Sequence, residues 1–132
     1  MPTHSLFQPK KTSISFEYFP PKDQLSKEEL LKSFYSFQQI PLRPSFVSIT
    51  YGAGGGSTQQ LTKELVTELH QKNVLPVVPH LTCTGHTIDE LFHLIEHYHH
   101  LGITHLMVLR GDKPKATSSH SATPSSFSYA AQ

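Results

Sequence analysis

Cysteine occurs once in the chain, as Cys83, so no internal disulfide can form. Charge of one sign is missing as well: 11 Lys and Arg against 10 Asp and Glu leave a formal net charge of +1. That balance produces no long-range field to draw nucleic acid or an anionic membrane, and neither is expected as a partner. Long hydrophobic runs are absent. Stretches such as Leu106-Met107-Val108-Leu109 fall far short of the roughly 20 apolar residues that span a bilayer. The opening segment, Met1 to Thr12, lacks the apolar centre of a secretory signal. Together these absences make a cytoplasmic location the expectation.

What is present is a globular composition. Hydrophobic residues make up 36% and charged residues 16% of 132 residues, enough for one domain with a modest core. β-rich apolar segments run from Ile14 to Phe19, Phe46 to Thr50, Leu75 to Leu81 and Thr104 to Leu109. Equivalent points in them lie roughly thirty residues apart, the length of a βα unit. Each segment between them opens on a capping-box pattern: Ser26 with Glu29, Ser57 with Gln60, Thr87 with Glu90. The first helix is expected to end before Pro41 and the third near Gly102. At about 100° per residue, Ile88, Leu91, Phe92, Ile95, Tyr98 and Leu101 form one broad apolar face on the third helix. Repeated βα units imply parallel strands, in either a doubly wound sheet or a section of a (β/α)₈ barrel. From Lys113 to Gln132 the chain turns rich in Ser, Thr, Ala and Pro without helical period. This reads as a long loop after strand four, and the missing covering helix leads to the expectation of a truncated domain.

In parallel α/β proteins, sites form at the C-terminal ends of strands, where the βα loops converge. Strand one carries Glu17, strand two runs into Thr50-Tyr51-Gly52, strand three into His80-Leu81-Thr82, and strand four into Arg110-Gly111-Asp112. Glu17 lies in Ser15-Phe16-Glu17-Tyr18-Phe19-Pro20-Pro21, and aromatic flanks are expected to leave its carboxyl poorly solvated, the setting of a general acid. The loop from Tyr51 to Ser57, through Gly52-Ala53-Gly54-Gly55-Gly56, lets backbone approach a ligand and feeds a helix N-terminus able to hold phosphate. It lacks GxGxxG spacing, which argues against a Rossmann dinucleotide site. Arg110 can grip phosphate or carbonyl oxygens, and Asp112 can accept from a heterocycle's N–H edge. An adhesion role for Arg-Gly-Asp would need an exposed extracellular loop and is set aside. His93, His97 and His100 lie opposite the apolar face of helix three with no HExxH and no cysteine ligand nearby. They read as a solvated face, and no metal is expected.

Four of these stretches resemble the ordered motifs of one family. They are Ser15-Phe16-Glu17-Tyr18-Phe19-Pro20-Pro21-Lys22; Phe46-Val47-Ser48-Ile49-Thr50-Tyr51-Gly52-Ala53-Gly54-Gly55; Pro79-His80-Leu81-Thr82-Cys83; and Leu101-Gly102-Ile103 with Leu109-Arg110-Gly111-Asp112. The family is methylenetetrahydrofolate reductase. The resemblance implies a (β/α)₈ TIM barrel represented by about its first four βα units, with residues 1–132 the N-terminal half of a single barrel domain. It implies reduction of 5,10-methylenetetrahydrofolate to 5-methyltetrahydrofolate, feeding methionine synthesis, with FAD as cofactor and NADH or NADPH as co-substrate. Glu17 matches the family's general acid, and Asp112 the acid beside flavin and pterin. Thr50, Tyr51, Ala53, His80, Arg110 and Gly111 match flavin or nicotinamide contacts, and Ala130 matches a later flavin contact. A homo-oligomer of the full-length protein is compatible with this reading, and the fragment alone is expected to be inactive. The alternative is a truncated half barrel kept as a non-catalytic binding or interaction module.

Overall fold

The computed structural model describes residues 6, 12–41, 43–51 and 56–111. Strand and helix alternate through them: β1 (Ser15–Tyr18), α1 (Gln24–Ser36), β2 (Phe46–Ile49), α2 (Gly56–Lys72), β3 (Val77–Thr82), α3 (Ile88–His100) and β4 (Met107–Leu109). Every strand pairing is parallel, and hydrogen-bonded neighbours follow chain order. This is a parallel α/β sheet with alternating helices, consistent with part of a TIM-barrel-like fold. The chain forms two compact units, Met1–Pro79 and His80–Gln132, which divide within β3.

In the first unit, β1 pairs with β2 from Ser15↔Phe46 to Tyr18↔Ile49, and β2 pairs with β3 from Val47↔Val77 to Ile49↔Pro79. The ladder runs slightly past the strand ends: Ser45 N–H donates to the Ile14 carbonyl at 2.8 Å, and Thr50 N–H to the Tyr18 carbonyl at 2.9 Å. β2 is buried along its whole length, as a strand in a parallel sheet with both faces covered must be. Phe34 of α1, Val47 and Ile49 of β2, and Val66 and Leu69 of α2 are fully buried. The stretch joining α2 to β3 adds Val74 and Leu75 to this core, although the strand itself starts only at Val77. Asn73 makes the turn in the left-handed region at φ 53°, a conformation asparagine tolerates better than most residues.

The second unit pairs the last part of β3 with β4, His80↔Met107 through Thr82↔Leu109. The strand expected from Thr104 therefore begins three residues later, where His80 supplies a partner. Buried here are Leu81, Cys83, Leu91, Tyr98 and Ile103, together with His80 and His86.

The helix ends divide into expectations met and corrected. At α3, the Thr87 hydroxyl accepts from Glu90 N–H at 3.3 Å and the Glu90 carboxylate accepts from Thr87 N–H at 2.8 Å, completing the capping box. The helix closes on Gly102 at φ 83°. Gly102 N–H reaches the His99 carbonyl at 2.9 Å and Ile103 N–H reaches the Tyr98 carbonyl at 3.0 Å, the Schellman pattern with buried Ile103 and Tyr98 as its apolar pair.

At α1 the expected cap, Ser26, is displaced by Asp23. Its carboxylate accepts from both the backbone N–H of Ser26 at 2.8 Å and the Ser26 hydroxyl at 3.0 Å. A carboxylate offers two acceptor oxygens and an anion at the positive helix end, so it outcompetes a hydroxyl three residues on. The backbone hydrogen bond from Ser26, then its hydroxyl, hold the Asp23 carboxyl below its ordinary value. At α2 the helix already includes Ser57, because it begins at Gly56. The Gln60 side-chain N–H donates to the Glu64 carboxylate at 2.8 Å along the helix face. The end of α1 before Pro41 is as expected, with Ser36 its last residue.

Candidate functional site

In the first unit, β1 and β2 place Glu17, Thr50 and Tyr51 near their C-terminal ends. Glu17 lies opposite Ser48 in the ladder. The expectation that aromatic neighbours would shield it is corrected: Glu17 is exposed, Phe16 is 44% exposed and Phe19 72% exposed. Successive side chains of a strand point to opposite faces, so Phe16, stacked on Phe37 at 4.9 Å between ring centroids, lies on the face away from Glu17. Tyr18, one residue on, is half-buried and shares a 2.8 Å hydrogen bond with the Ser33 hydroxyl. Burial pushes its phenol above the ordinary value near 10, and the Ser33 hydrogen bond partly offsets that.

Thr50 is held through its backbone. Its N–H donates to the Tyr18 carbonyl, and its own carbonyl accepts from the Thr62 hydroxyl at 3.0 Å. Thr62 is fully buried on α2 and shares that hydrogen between the Thr50 and Thr58 carbonyls, both at 3.0 Å. The sequence reading passed over Thr62. A signal was available, since Thr62, Leu65, Val66 and Leu69 follow helical i, i+3, i+4, i+7 spacing, which puts a polar group on a buried stripe. Tyr51 is buried. Ala53, with Gly52, Gly54 and Gly55, lies outside the described residues. α2 starts immediately after, with no acidic residue in its first turn.

A cavity of about 200 Å³ also opens in this unit, lined by Lys22, Asp23, Lys27, Glu64, Leu61 and Leu65 among others. None of the expected site residues lines it. Lys27 is instead tied to Glu68 at 2.7 Å.

In the second unit, β3 and β4 carry His80, Arg110 and Gly111. His80 is buried within β3, two residues before the strand ends. The chain after β3 is laced to the chain after β4. Cys83 N–H donates to the Leu109 carbonyl at 3.1 Å and Thr84 N–H to the Arg110 carbonyl at 2.8 Å. The Thr84 hydroxyl donates to that same carbonyl at 2.5 Å. Gly111 follows at φ 86°, and a Cβ there would sit 3.0 Å from the Thr82 Cβ. The position therefore demands glycine twice over, by backbone conformation and by close approach. Arg110 itself is exposed, and its Nε contacts the Gly111 carbonyl at 3.4 Å. Thr84 is the second residue that sequence reasoning missed, and no periodic signal marks it, because its partner lies 26 residues away across a strand pairing. Asp112 and Ala130 fall outside the described residues, as does the segment 113–132.

The histidines of α3 lie along the helix. Nδ1 of His93 donates to the Asp89 carbonyl at 2.8 Å and Nδ1 of His100 to the Glu96 carbonyl at 2.7 Å. Among the described residues, no group of three or more His, Cys, Asp or Glu side chains could hold a metal ion. No described helix is long and apolar enough to cross a membrane.

A family model described as Methylenetetrahydrofolate reductase matches residues 3–132. The Zea mays protein named Methylenetetrahydrofolate reductase (NADH) 1 is 38% identical over 104 residues, covering 79% of this chain and 17% of the maize protein. The 5,10-methylenetetrahydrofolate reductase of Salmonella typhimurium is 37% identical over 102 residues, 77% of this chain and 33% of that protein. Methylenetetrahydrofolate reductase 2 of Saccharomyces cerevisiae is 33% identical over 132 residues, 97% of this chain and 22% of the yeast protein. The chain thus spans a third or less of the length of these relatives.

Proposed function

The chain belongs to the methylenetetrahydrofolate reductase family, and on that premise we propose that it contributes the first part of a (β/α)₈ barrel that reduces 5,10-methylenetetrahydrofolate to 5-methyltetrahydrofolate. The reading includes FAD as cofactor, NADH or NADPH as co-substrate, and a cytoplasmic location. The observation that carries it is the position of the motif residues. Thr50 and Tyr51 directly follow β2, Arg110 and Gly111 directly follow β4, and Glu17 lies one residue from the end of β1. Catalytic and binding groups of (β/α)₈ enzymes sit at those strand ends. A closed barrel needs four more strands than the described residues contain, and the sequential, all-parallel order supports such a continuation.

The residues present suit a flavin dinucleotide. The exposed guanidinium of Arg110 can pair with a pyrophosphate in two-point fashion. The start of α2, with no acid in its first turn, presents backbone N–H groups to an anion. Bound FAD would supply the hydride for the one-carbon unit. Glu17, exposed on β1, would hold the proton that assists opening of the methylene bridge. Thr50, Tyr51, Ala53, His80, Gly111 and Ala130 would line the flavin or nicotinamide, and Asp112 would accept from the heterocycle edge. The name of the maize relative specifies NADH, which makes NADH the first co-substrate to test.

The experiment is Glu17→Gln in the whole protein, followed by two half-reactions. Reduction of the flavin by NADH should survive. Reoxidation by methylenetetrahydrofolate should fall by about 10²–10⁴, the usual worth of a general acid. Near-normal folate turnover in the variant would remove Glu17 from that role.

A further inference from the structure

The Arg110–Gly111 peptide is held in a way the strand ladder does not require. A parallel ladder supplies one donor per carbonyl, and here that donor is Thr84 N–H at 2.8 Å. The Thr84 hydroxyl adds a second donor at 2.5 Å to the same oxygen. A carbonyl has two lone pairs, so both are engaged. The next residue is Gly111, at φ 86°, where a Cβ would lie 3.0 Å from the Thr82 Cβ and 3.5 Å from the Thr84 Cβ. Glycine populates positive and negative φ almost equally, so nothing intrinsic to residue 111 prevents the peptide before it from turning over. The constraint comes from the partner of the Arg110 carbonyl.

We propose that Thr84 is a positioning residue whose hydroxyl locks the Arg110–Gly111 peptide in one orientation and so fixes how Arg110 and Gly111 meet the flavin. The proposal rests on the flavin reading given above. Thr84 touches neither cofactor nor substrate in this account and acts only through the Arg110 carbonyl. Thr62 offers an internal parallel: its hydroxyl grips the Thr50 carbonyl at the end of β2. The two differ in setting. Thr62 is fully buried and shares its hydrogen with its own helix, whereas Thr84 sits half-buried in a loop and spends its hydrogen on Arg110 alone. A hydroxyl in that position adjusts a site with little effect on the core.

The test compares Thr84→Val, which keeps the β-branched shape and removes the hydroxyl, with Thr84→Ser, which keeps the hydroxyl. Both are measured in the whole protein, first without flavin. Amide exchange at residue 84 should quicken about fivefold in the valine variant and stay near wild type in the serine variant, the weight of one ordinary hydrogen bond. The Gly111 amide resonance should move or broaden in step. FAD titration should then show about three- to tenfold weaker binding for valine, with serine restoring it. A merely structural threonine would lower the unfolding midpoint and leave the Gly111 signal and the FAD affinity of the folded protein unchanged. Unchanged exchange and an unchanged Gly111 signal in the valine variant would overturn the lock. Altered exchange with unaltered FAD affinity would overturn its positioning role. Failure of the wild type to bind FAD would instead sink the flavin reading, and the exchange data would still decide the lock.

Discussion

α2 and α3 occupy equivalent places in the chain, each leading from one strand to the next, yet they use their apolar residues differently. On α2 the stripe Thr62, Leu65, Val66 and Leu69 is buried throughout, and Val66 and Leu69 are 0% exposed. α3 carries the broader apolar face, but only its seam at Leu91 and Tyr98 is buried. Ile88, Phe92 and Ile95, which lie to one side of that seam, are exposed, Phe92 by 63%. An amphipathic period thus reports which side of a helix prefers cover. How much of that side finds cover depends on what is packed against it.

Two changes test this contrast. Leu69→Ala removes a fully buried side chain from α2 and should cost about 2–5 kcal/mol, from lost transfer energy and the cavity left behind. Urea unfolding of the protein measures it, and a cost near zero would mean that the α2 stripe is not a core. Phe92→Ser on the exposed flank of α3 should change stability by no more than about 0.5 kcal/mol in the same assay. A loss comparable with that of Leu69→Ala would show that the flank is covered in solution, and the contrast between the two helices would collapse.

The smallest effect concerns the cap of α3. The backbone N–H of Thr87, then its side chain, hold the Glu90 carboxyl below its ordinary 4.5, and His86, 3.7 Å away, adds to the shift. A carboxyl with a depressed folded value stabilises above the unfolded value and loses that contribution as pH falls through the folded one. The cap is therefore fully effective above pH 4.5 and weakens below it. Glu90→Gln keeps an acceptor for Thr87 N–H and removes the titration. Its stability should fall less steeply than wild type as pH drops below 4.5, and parallel acid limbs would show that Glu90 does not contribute to the acid sensitivity.

Much of this molecule is written in short-range chemistry. The alternation of strand and helix, the capping box of Thr87 and Glu90, and the stop at Gly102 each depend on residues a few positions apart, so the chain carries them without knowing its neighbours. The same holds for the location of Thr50, Arg110 and Gly111 at strand ends, which needs only the strand boundaries to be nearly right. Even local reading misjudged two starts: Asp23 outbid Ser26, and α2 began at Gly56, ahead of the expected Ser57 cap. Tertiary structure decided the remainder. Aromatic flanks on β1 did not shield Glu17, because side chains alternate along a strand: Phe16 packs on Phe37 and Tyr18 bonds Ser33 on one face, and Glu17 lies on the other. The Thr62 grip on Thr50 and the Thr84 grip on Arg110 span 12 and 26 residues. Such bonds exist only once parallel pairing has set the register, because a hydroxyl reaches about 3 Å and only the fold brings those carbonyls within it.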